Sequence, residues 1–331
     1  MDGALRKKGR MRELIRPIVF YFAISATLLL ISIGSTADAR IEAGAAREIS
    51  SGRNVSNSDT IDGRLMDRGL IGGRHSQREP IAPPAGAEVY ETVERATAGG
   101  QVMSRTISWS EPFGSDTLWI EMTGYPSGQH QLSFWVLSGH AHGCEVFGRT
   151  MYGEHGRRLK SEFWRNDRAL RITGAADFPA DLYPAAVPAI ALPRVLDSLH
   201  DGARATLSQQ ITPYGYVDLK ISVQRSGRLA VAAGTFSACK VSSQPDVSKL
   251  LPNWPHMLLR VVNPFIPATT YYFQCDAPYR FLKKEQQGSA FVGGPEASTE
   301  LVRYYVAGPA HSTGQAPWTE QPLAAFRPAR H

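Results

Sequence analysis

Short runs of apolar and β-branched residues recur along this chain and predict an antiparallel β-sheet. Turn-forming Gly, Pro, Ser, Asn or Asp residues separate the runs, a spacing that is typical of strands joined by tight connections. Within residues 217–223 the apolar side chains take every second position, so one face of that strand is buried and the other is exposed. The predicted strands cover residues 117–122, 131–137, 144–152, 158–164, 169–173, 205–211, 216–223, 228–231, 235–241, 270–274, 280–285 and 301–306. The predicted fold class is mainly β: a curved antiparallel sheet or half-barrel with short helices, preceded by a signal or anchor helix.

Two segments interrupt this β pattern. Residues 192–199 follow a proline-rich loop and predict a short helix. Residues 252–268 are the most apolar stretch beyond the N-terminal region, and two interpretations of them stay open. They form either a helix or loop packed on the open face of the sheet, or else a movable flap over a hydrophobic cavity or a patch that touches lipid. For the second interpretation, the candidate ligand-binding residues are Trp254, Met257, Leu258, Phe265, Tyr271 and Phe273.

The N-terminal region has the three-part layout of a secretory signal. Basic residues between positions 6 and 16 precede an apolar run at 18–34, and Ala37-Asp38-Ala39 matches a signal-peptidase site. Residues 1–39 are therefore predicted to be a signal peptide cleaved after Ala39. The alternative is an uncleaved anchor in the inner membrane, although 17 residues span only about 25 Å as a helix. Both interpretations place the rest of the chain in the periplasm or another extracytoplasmic compartment.

Composition divides the remaining chain into three parts. Residues 40–86 are poor in aromatics, rich in polar residues and glycine, and end in prolines, so they predict a disordered linker. Residues 87–307 hold the predicted strands and form a single β-rich domain. Residues 308–331 are rich in Ala and Pro and are expected to be a flexible C-terminal tail.

The charge and the motifs of the chain argue against two classes of function, nucleic-acid binding and catalysis. The formal charge of +6 includes six bases and three acids in residues 1–39, which leaves an excess of only +3 and no basic stripe for nucleic acid. We therefore expect no nucleic-acid partner. The chain has no Gly-x-Ser-x-Gly motif, no His-Glu-x-x-His motif and no glycine-rich phosphate loop, so a non-catalytic role is favoured over an enzyme.

A histidine and cysteine pattern predicts an alternative function. His140, His142 and Cys144 alternate in sequence, so in an extended strand their side chains share one face. Two imidazoles and a thiolate would suit zinc or copper. The competing interpretation is a surface turn with two solvated imidazoles and a buried thiol. We expect no cofactor in the leading interpretation, and zinc or copper in this alternative.

The three cysteines lie in a part of the chain that is expected to be exported into an oxidising compartment. Cys239 and Cys275 fall in consecutive predicted strands on either side of the apolar segment, so a disulfide between them would constrain that segment. Pairing of Cys144 with Cys239 remains the alternative.

Several short motifs occur together in a characteristic order. They are Asp181-Leu182-Tyr183-Pro184, an aliphatic helix ending near Leu199, Ala233-Gly234-Thr235-Phe236 leading into Cys239-Lys240-Val241, Tyr271-Tyr272-Phe273, and Pro278-Tyr279-Arg280 before Phe281-Leu282-Lys283. In this order they resemble the extracytoplasmic bacterial proteins of the domain of unknown function 3108 family, over residues 180–306. The resemblance implies a strongly curved antiparallel sheet, similar to lipoprotein-carrier half-barrels, with an apolar concave side. It implies no established activity.

Three functional hypotheses follow. The leading one is an exported, non-catalytic β-protein that binds a hydrophobic ligand, a lipid or an acyl chain, between the sheet and residues 252–268. The second is a metal-binding envelope protein that uses His140, His142 and Cys144. The third is an envelope scaffold whose sheet edge or apolar patch binds a protein partner. An uncleaved N-terminal segment would add membrane association to any of the three.

Overall fold

A computed structural model describes the central part of the chain. The described residues are 61–68, 70–71, 81–139, 143–154, 156–166, 182–184, 187–196, 198–212, 215–246, 248, 255, 257, 266, 268–286 and 296–308. All of them belong to one compact unit, which comprises residues 56–287 and 295–331. The leader at 1–39 and residues 309–331 lie outside the described residues. Within the described part of the chain, no helix has the length and apolar character needed to cross a bilayer.

The described residues form one sheet of thirteen strands together with two short helices, which confirms the mainly β fold class. The helices are α1 (Ile61–Asp67) and α2 (Ala191–Arg194). The strands are β1 (Glu88–Ala96), β2 (Val102–Phe113), β3 (Asp116–Gly124), β4 (His130–Leu137), β5 (Cys144–Tyr152), β6 (Arg158–Arg165), β7 (Leu182–Tyr183), β8 (Arg204–Thr212), β9 (Gly215–Val231), β10 (Gly234–Asp246), β11 (Thr269–Gln274), β12 (Phe281–Gln286) and β13 (Ala297–Val306).

Strands that follow one another in sequence mostly lie side by side. The order across the sheet is β6-β5-β4-β3-β2-β1-β13-β12-β11-β10-β9-β8-β7. Pairing of β1 with β13 joins the first and last strands of the described domain, so β1–β6 and β7–β13 are two parts of one sheet. Described neighbours pair antiparallel, except for the short parallel pair of β7 with β8. This is the meander that tight connections favour.

The sheet curls until strands near its two ends touch. Trp164 on β6 donates an indole hydrogen bond of 2.6 Å to the side-chain oxygen of Gln210 on β8. These two strands stand at opposite ends of the strand order, so only a strongly curved sheet brings them together. The predicted curved sheet or half-barrel with short helices is therefore confirmed, and the sheet has an inner and an outer face.

The inner face packs on a core that includes residues after the proline-rich loop. Leu192 lies in α2, and Leu196 and Leu199 follow it; all three are buried against inner-face residues such as Leu219 and Phe273. The helix itself ends at Arg194, several residues earlier than the sequence predicts. The leucines remain buried because packing, rather than continued helix, holds them.

The outer face of β2–β5 carries a second core. Its residues on these strands are Ile107, Trp109, Phe113, Leu118, Ile120, Met122, Leu132, Phe134, Val136 and Val146. Gly148 on β5 is part of this arrangement, since a Cβ atom there would come within 2.2 Å of the ring of Phe134. The absence of a side chain at this strand position thus lets the aromatic ring lie directly on the backbone.

Helix α1 covers this outer core, in a region where composition predicts a disordered linker. Leu65 is fully buried and Leu70 is nearly so, both against the outer core. Arg68 forms a two-bond ion pair with the buried carboxylate of Glu111 on β2, with Nε 3.0 Å from Oε1. The structure thus differs from the linker expectation over residues 61–71. The average composition of residues 40–86 conceals a few apolar side chains that are enough to cover one face of a sheet.

Candidate ligand cavity

A cavity of about 700 Å³ lies against the inner face of the sheet. Strands β1–β4 line one side and β11–β13 line the other, with one position each from β5, β8 and β9 and two from β10. The segment 187–194, which we call the cap, contributes Val187, Ile190, Leu192 and Arg194. The cavity is therefore built by residues distant in sequence that sheet curvature brings together.

Hydroxyl, amide and carboxyl side chains form one part of the lining, which we call the polar floor. Its members are Thr92, Glu94, Ser104, Thr106, Ser108, Glu121, Thr123, Gln131 and Ser133. The strand register aligns them in rows: Ser108 pairs with Glu121, and Glu121 pairs with Ser133. Thr106 and Thr123 also pair, with hydroxyl oxygens 2.9 Å apart. Because side chains alternate along a strand, the residues between them supply the outer core.

Aromatic rings form the adjoining part of the lining, the aromatic wall. Trp119 and Trp135 are paired in register on β3 and β4, and Tyr90 lies 5.9 Å from Trp119 between ring centroids. From the other half of the sheet, Tyr271 and Phe273 lie 6.4 Å apart. Such rings supply large apolar area at fixed positions. The cavity thus places an apolar surface beside a hydrogen-bonding surface.

Glu121 on β3 is a carboxyl group of the polar floor whose surroundings shift its pKa. Burial raises its pKa, while a 2.8 Å hydrogen bond donated by the Trp119 indole and the positive charge of Lys284 act in the opposite direction. Burial, with a smaller contribution from the charge of Glu121, raises the pKa of Tyr271 to about 12. A carboxyl, a phenol and an ammonium group therefore influence one another across the cavity.

The cap ends in a guanidinium group that has an incomplete set of partners. Arg194 Nη2 donates a 2.8 Å hydrogen bond to the backbone oxygen of Ser138, at the end of β4. Its Nη1 atom is buried and meets no acceptor among the described residues. By contrast, Arg149 at the far side of the lining is ion-paired with Glu162, with Nε 3.1 Å from Oε2.

The structure places the six candidate ligand-binding residues in different positions. Tyr271 and Phe273 line the cavity. Met257 is 76% exposed. Trp254, Leu258 and Phe265 lie outside the described residues, so the roles expected for them remain predictions.

Sequence reasoning missed Trp119, Trp135 and the polar floor. It assigned an exposed face only to the strand at residues 217–223, whereas the structure turns polar side chains of β1–β4 inward, around the cavity. The expectation of an apolar concave side needs the same correction, because the lining is half polar. A usable signal existed in the alternation of Thr106 and Ser108 with Ile107 and Trp109, since it showed two distinct faces without telling which was inner.

The predicted metal ligands are only partly described. Cys144 is fully buried, its thiol donates to the backbone oxygen of Val146 at 3.1 Å, and burial raises its pKa well above the ordinary value. His140 and His142 lie outside the described residues. Among the residues that are described, no group of three or more metal-ligating side chains occurs. Zinc or copper binding at these positions stays a prediction.

Cys239 and Cys275 are joined in a disulfide, with their Cα atoms 5.1 Å apart. Cys144 is a free cysteine, so the alternative pairing of Cys144 with Cys239 does not form. Cys239 lies opposite Phe273 in the β10–β11 register, which sets the bond next to the aromatic wall. The disulfide closes the loop that contains residues 252–268.

Comparison with known proteins gives weak structural likenesses and no family. No protein-family model matches the chain, so its resemblance to the domain of unknown function 3108 family stays a prediction. No curated protein matches it.

Three solved structures illustrate the likenesses. A predicted lipoprotein from Parabacteroides distasonis is 13% identical with a TM-score of 0.30, covering 69% of this chain and 99% of its own. A predicted exported protein with a YmcC-like fold from Bacteroides fragilis is 12% identical with a TM-score of 0.26, covering 68% and 97%. A β-barrel-like protein of domain of unknown function 1849 from Brucella abortus is 6% identical with a TM-score of 0.31, covering 68% and 99%. At these scores the function of this chain has to be argued from its own residues.

Proposed function

We propose that this chain is an exported, non-catalytic protein that binds a lipid or a single acyl chain in its inner cavity. The observation that carries the proposal is the cavity of about 700 Å³, which has an aromatic wall beside a polar floor. Its volume falls within the range of roughly 300–1,000 Å³ that is typical of small-molecule sites. The proposal gives the cavity no catalytic role.

The lining favours a ligand with both apolar and polar parts. Burial of an apolar chain against Trp119, Trp135 and Phe273 would contribute about 25 cal/mol for each Å² removed from water. The polar floor could not accept such a chain without cost, because its hydroxyl and carboxyl oxygens would lose hydrogen bonds to water. An amphipathic molecule satisfies both surfaces at once.

Two features support an extracytoplasmic setting for this binding. The three-part pattern of residues 1–39 is typical of an export signal. The disulfide between Cys239 and Cys275 is a bond that persists in oxidising compartments and is rare in the cytosol. Lipids and lipid-modified proteins are abundant at the envelope, so a carrier with such a cavity would have ligands nearby.

The test begins with the full chain expressed with its own leader and recovered from the cell envelope fraction. Native mass spectrometry is expected to show a bound lipid, and N-terminal sequencing to show whether the mature protein begins at Arg40. After delipidation, titration with a fluorescent fatty-acid probe should give saturable binding. Absence of both co-purified lipid and saturable probe binding would contradict the proposal.

A pair of tryptophan substitutions locates the binding. Thr106→Trp fills the polar floor and should weaken probe binding by about tenfold or more, equivalent to about 1.4 kcal/mol. Val302→Trp is the matched control, since Val302 is 36% exposed on β13 and does not line the cavity. Thermal melts show whether each variant is folded. Equal weakening by both substitutions would place the probe elsewhere.

A further inference from the structure

We infer that the ligand of this cavity carries an anionic head group, a carboxylate or a phosphate monoester, and that Arg194 binds it. The inference rests on the proposed function, because it names the chemistry of the ligand in the same cavity. It begins from Arg194, a residue of the cavity lining whose Nη1 is a buried donor with no acceptor among the described residues. A buried guanidinium N–H without an acceptor is unfavourable, and an anion would satisfy it.

The acids of the cavity are engaged elsewhere. Glu94 accepts a 2.9 Å hydrogen bond from the Ser104 hydroxyl, and Glu121 accepts the indole hydrogen bond of Trp119. Glu162, which is not part of the lining, pairs with the lining residue Arg149. Over the described part of the chain, no carboxylate lies within ion-pair distance of Arg194, so its charge is the one that an incoming anion would neutralise.

Lys284 is the other cationic candidate for binding the head group, and its position is less suited to that role. It lies between Tyr271 and Thr299 in the strand register, and its charge acts on Glu121 across the cavity. That carboxyl already offsets part of the ammonium charge. A guanidinium group also binds carboxylate or phosphate oxygens through two parallel hydrogen bonds, which an ammonium group does not.

The surroundings of Arg194 suit the rest of such a molecule. Leu192 and Pro193 precede it in the cap, and Trp135 lies in the same lining. An acyl chain that leaves a head group at Arg194 therefore meets apolar side chains at once. The polar floor lies beyond this part of the lining and would stay in contact with water or with further polar atoms of the ligand.

The test compares ligands that differ only in the head group. Full-length delipidated protein is titrated with palmitic acid, hexadecanol and 1-palmitoyl lysophosphatidic acid, each in competition with the fluorescent probe. Wild type should bind the two anions at least about tenfold more tightly than the alcohol. A clear preference for the phosphate or for the carboxylate would identify which source of the anion the cavity selects.

Substitutions then assign the preference to a residue. Arg194→Met should abolish the preference for the anions without weakening hexadecanol binding, and Arg194→Lys should retain part of it. Arg303→Met is the matched control, because Arg303 is largely exposed on β13 and pairs with Glu91. It should leave all three affinities unchanged. Thermal melts of each variant verify that it is folded.

The outcomes separate the inference from the proposed function. If no amphiphile binds wild type, the proposed function fails. If acid and alcohol bind equally, or if Lys284→Met rather than Arg194→Met removes the preference, lipid binding stands and the role of Arg194 is overturned. Asp197, three positions beyond Arg194, lies outside the described residues. If Asp197→Asn increases affinity for palmitic acid, that carboxylate occupies the guanidinium and the inference also falls.

Discussion

Trp164 and Gln210 join strands that are eleven places apart in a thirteen-strand order, through a 2.6 Å hydrogen bond from indole Nε1 to amide oxygen. Both residues are at the inner side of the curled sheet, and Gln210 is buried. The bond spans the gap between β6 and β8, where no backbone ladder joins the described strands. It therefore reports on the curvature that encloses the cavity.

We predict that this bond stabilises the closed arrangement. Trp164→Phe should lower the free energy of unfolding by about 1–2 kcal/mol, because it leaves the buried oxygen of Gln210 without its donor. In a double-mutant cycle with Gln210→Leu, the coupling energy from urea denaturation should be at least about 0.5 kcal/mol. Strict additivity of the two substitutions would show that the edges are held together by other contacts.

Glu121 should make stability depend on pH. Its pKa is raised from the ordinary value of 4.5, chiefly by burial, so folding favours the protonated form. The contribution of this group is fully present below about pH 4.5 and is lost as pH rises through the folded-state pKa. Glu121→Gln should thus be more stable than wild type near neutral pH, with the advantage shrinking toward pH 4.

Trp119→Phe provides the control for this prediction. Loss of the indole donor removes a contact that stabilises the ionised carboxyl, so the variant should lose more stability than wild type between about pH 4 and pH 8. In the Glu121→Gln background the same substitution should add no pH dependence. Chemical denaturation at a series of pH values measures all four proteins.

The disulfide cysteines should contribute to the stability of the fold, whereas the free cysteine should be unreactive in the folded protein. Cys239→Ser together with Cys275→Ser should reduce the free energy of unfolding by about 2–4 kcal/mol, because the bond closes a loop over a sequence separation of 36. Cys144 should resist iodoacetamide in the folded protein, since burial raises the pKa of its thiol and blocks access.

Chemical denaturation of the double variant measures the loss of stability, and alkylation followed by mass spectrometry tests the reactivity of Cys144. Unfolding without a reductant should expose a single reactive thiol, that of Cys144, and unfolding with a reductant should expose all three. Modification of Cys144 at a similar rate in folded and unfolded protein would contradict its buried position.

Helix α1 should be part of the folded domain and not of the linker. Leu65→Ala should cost about 2–5 kcal/mol, because Leu65 is fully buried in the outer core. Met66→Ala is the matched control in the same helix, since Met66 is 40% exposed and should matter little. Equal and small effects in denaturation experiments would mean that the helix adds nothing to the fold.

The sequence was sufficient for the larger strands of the domain because their apolar and polar residues alternate with a period of two. It predicted β3–β6, β8 and β10–β13 to within a few residues in most cases, although it divided β9 into two strands at 216–223 and 228–231. It did not predict β1 and β2, whose polar positions include Glu94, Ser104 and Thr106. These residues face a cavity, so the hydrophobic signal that marks a buried strand is weak there.

The residues of the candidate site also differ in whether the sequence alone could identify them. Tyr271 and Phe273 were identifiable because an aromatic strand beside the apolar segment is a local pattern. Trp119, Trp135 and Arg194 were not, since each becomes a lining residue only when β3, β4 and the cap meet the opposite half of the sheet. The pairing of Cys239 with Cys275 was predictable in part. Their positions in consecutive predicted strands favoured this disulfide over the one between Cys144 and Cys239, but only the distance between the two cysteines in the structure established it.

By itself, the sequence determined the β-rich character of the domain and the two-faced nature of its strands, since both follow from local alternation and turn residues. Only the tertiary structure decided which face is inner. Strand curvature and the pairing of β1 with β13 turn the polar floor toward the cavity, while α1 buries the apolar side. A period of two shows that two faces differ, but the burial of either depends on which distant elements pack against it.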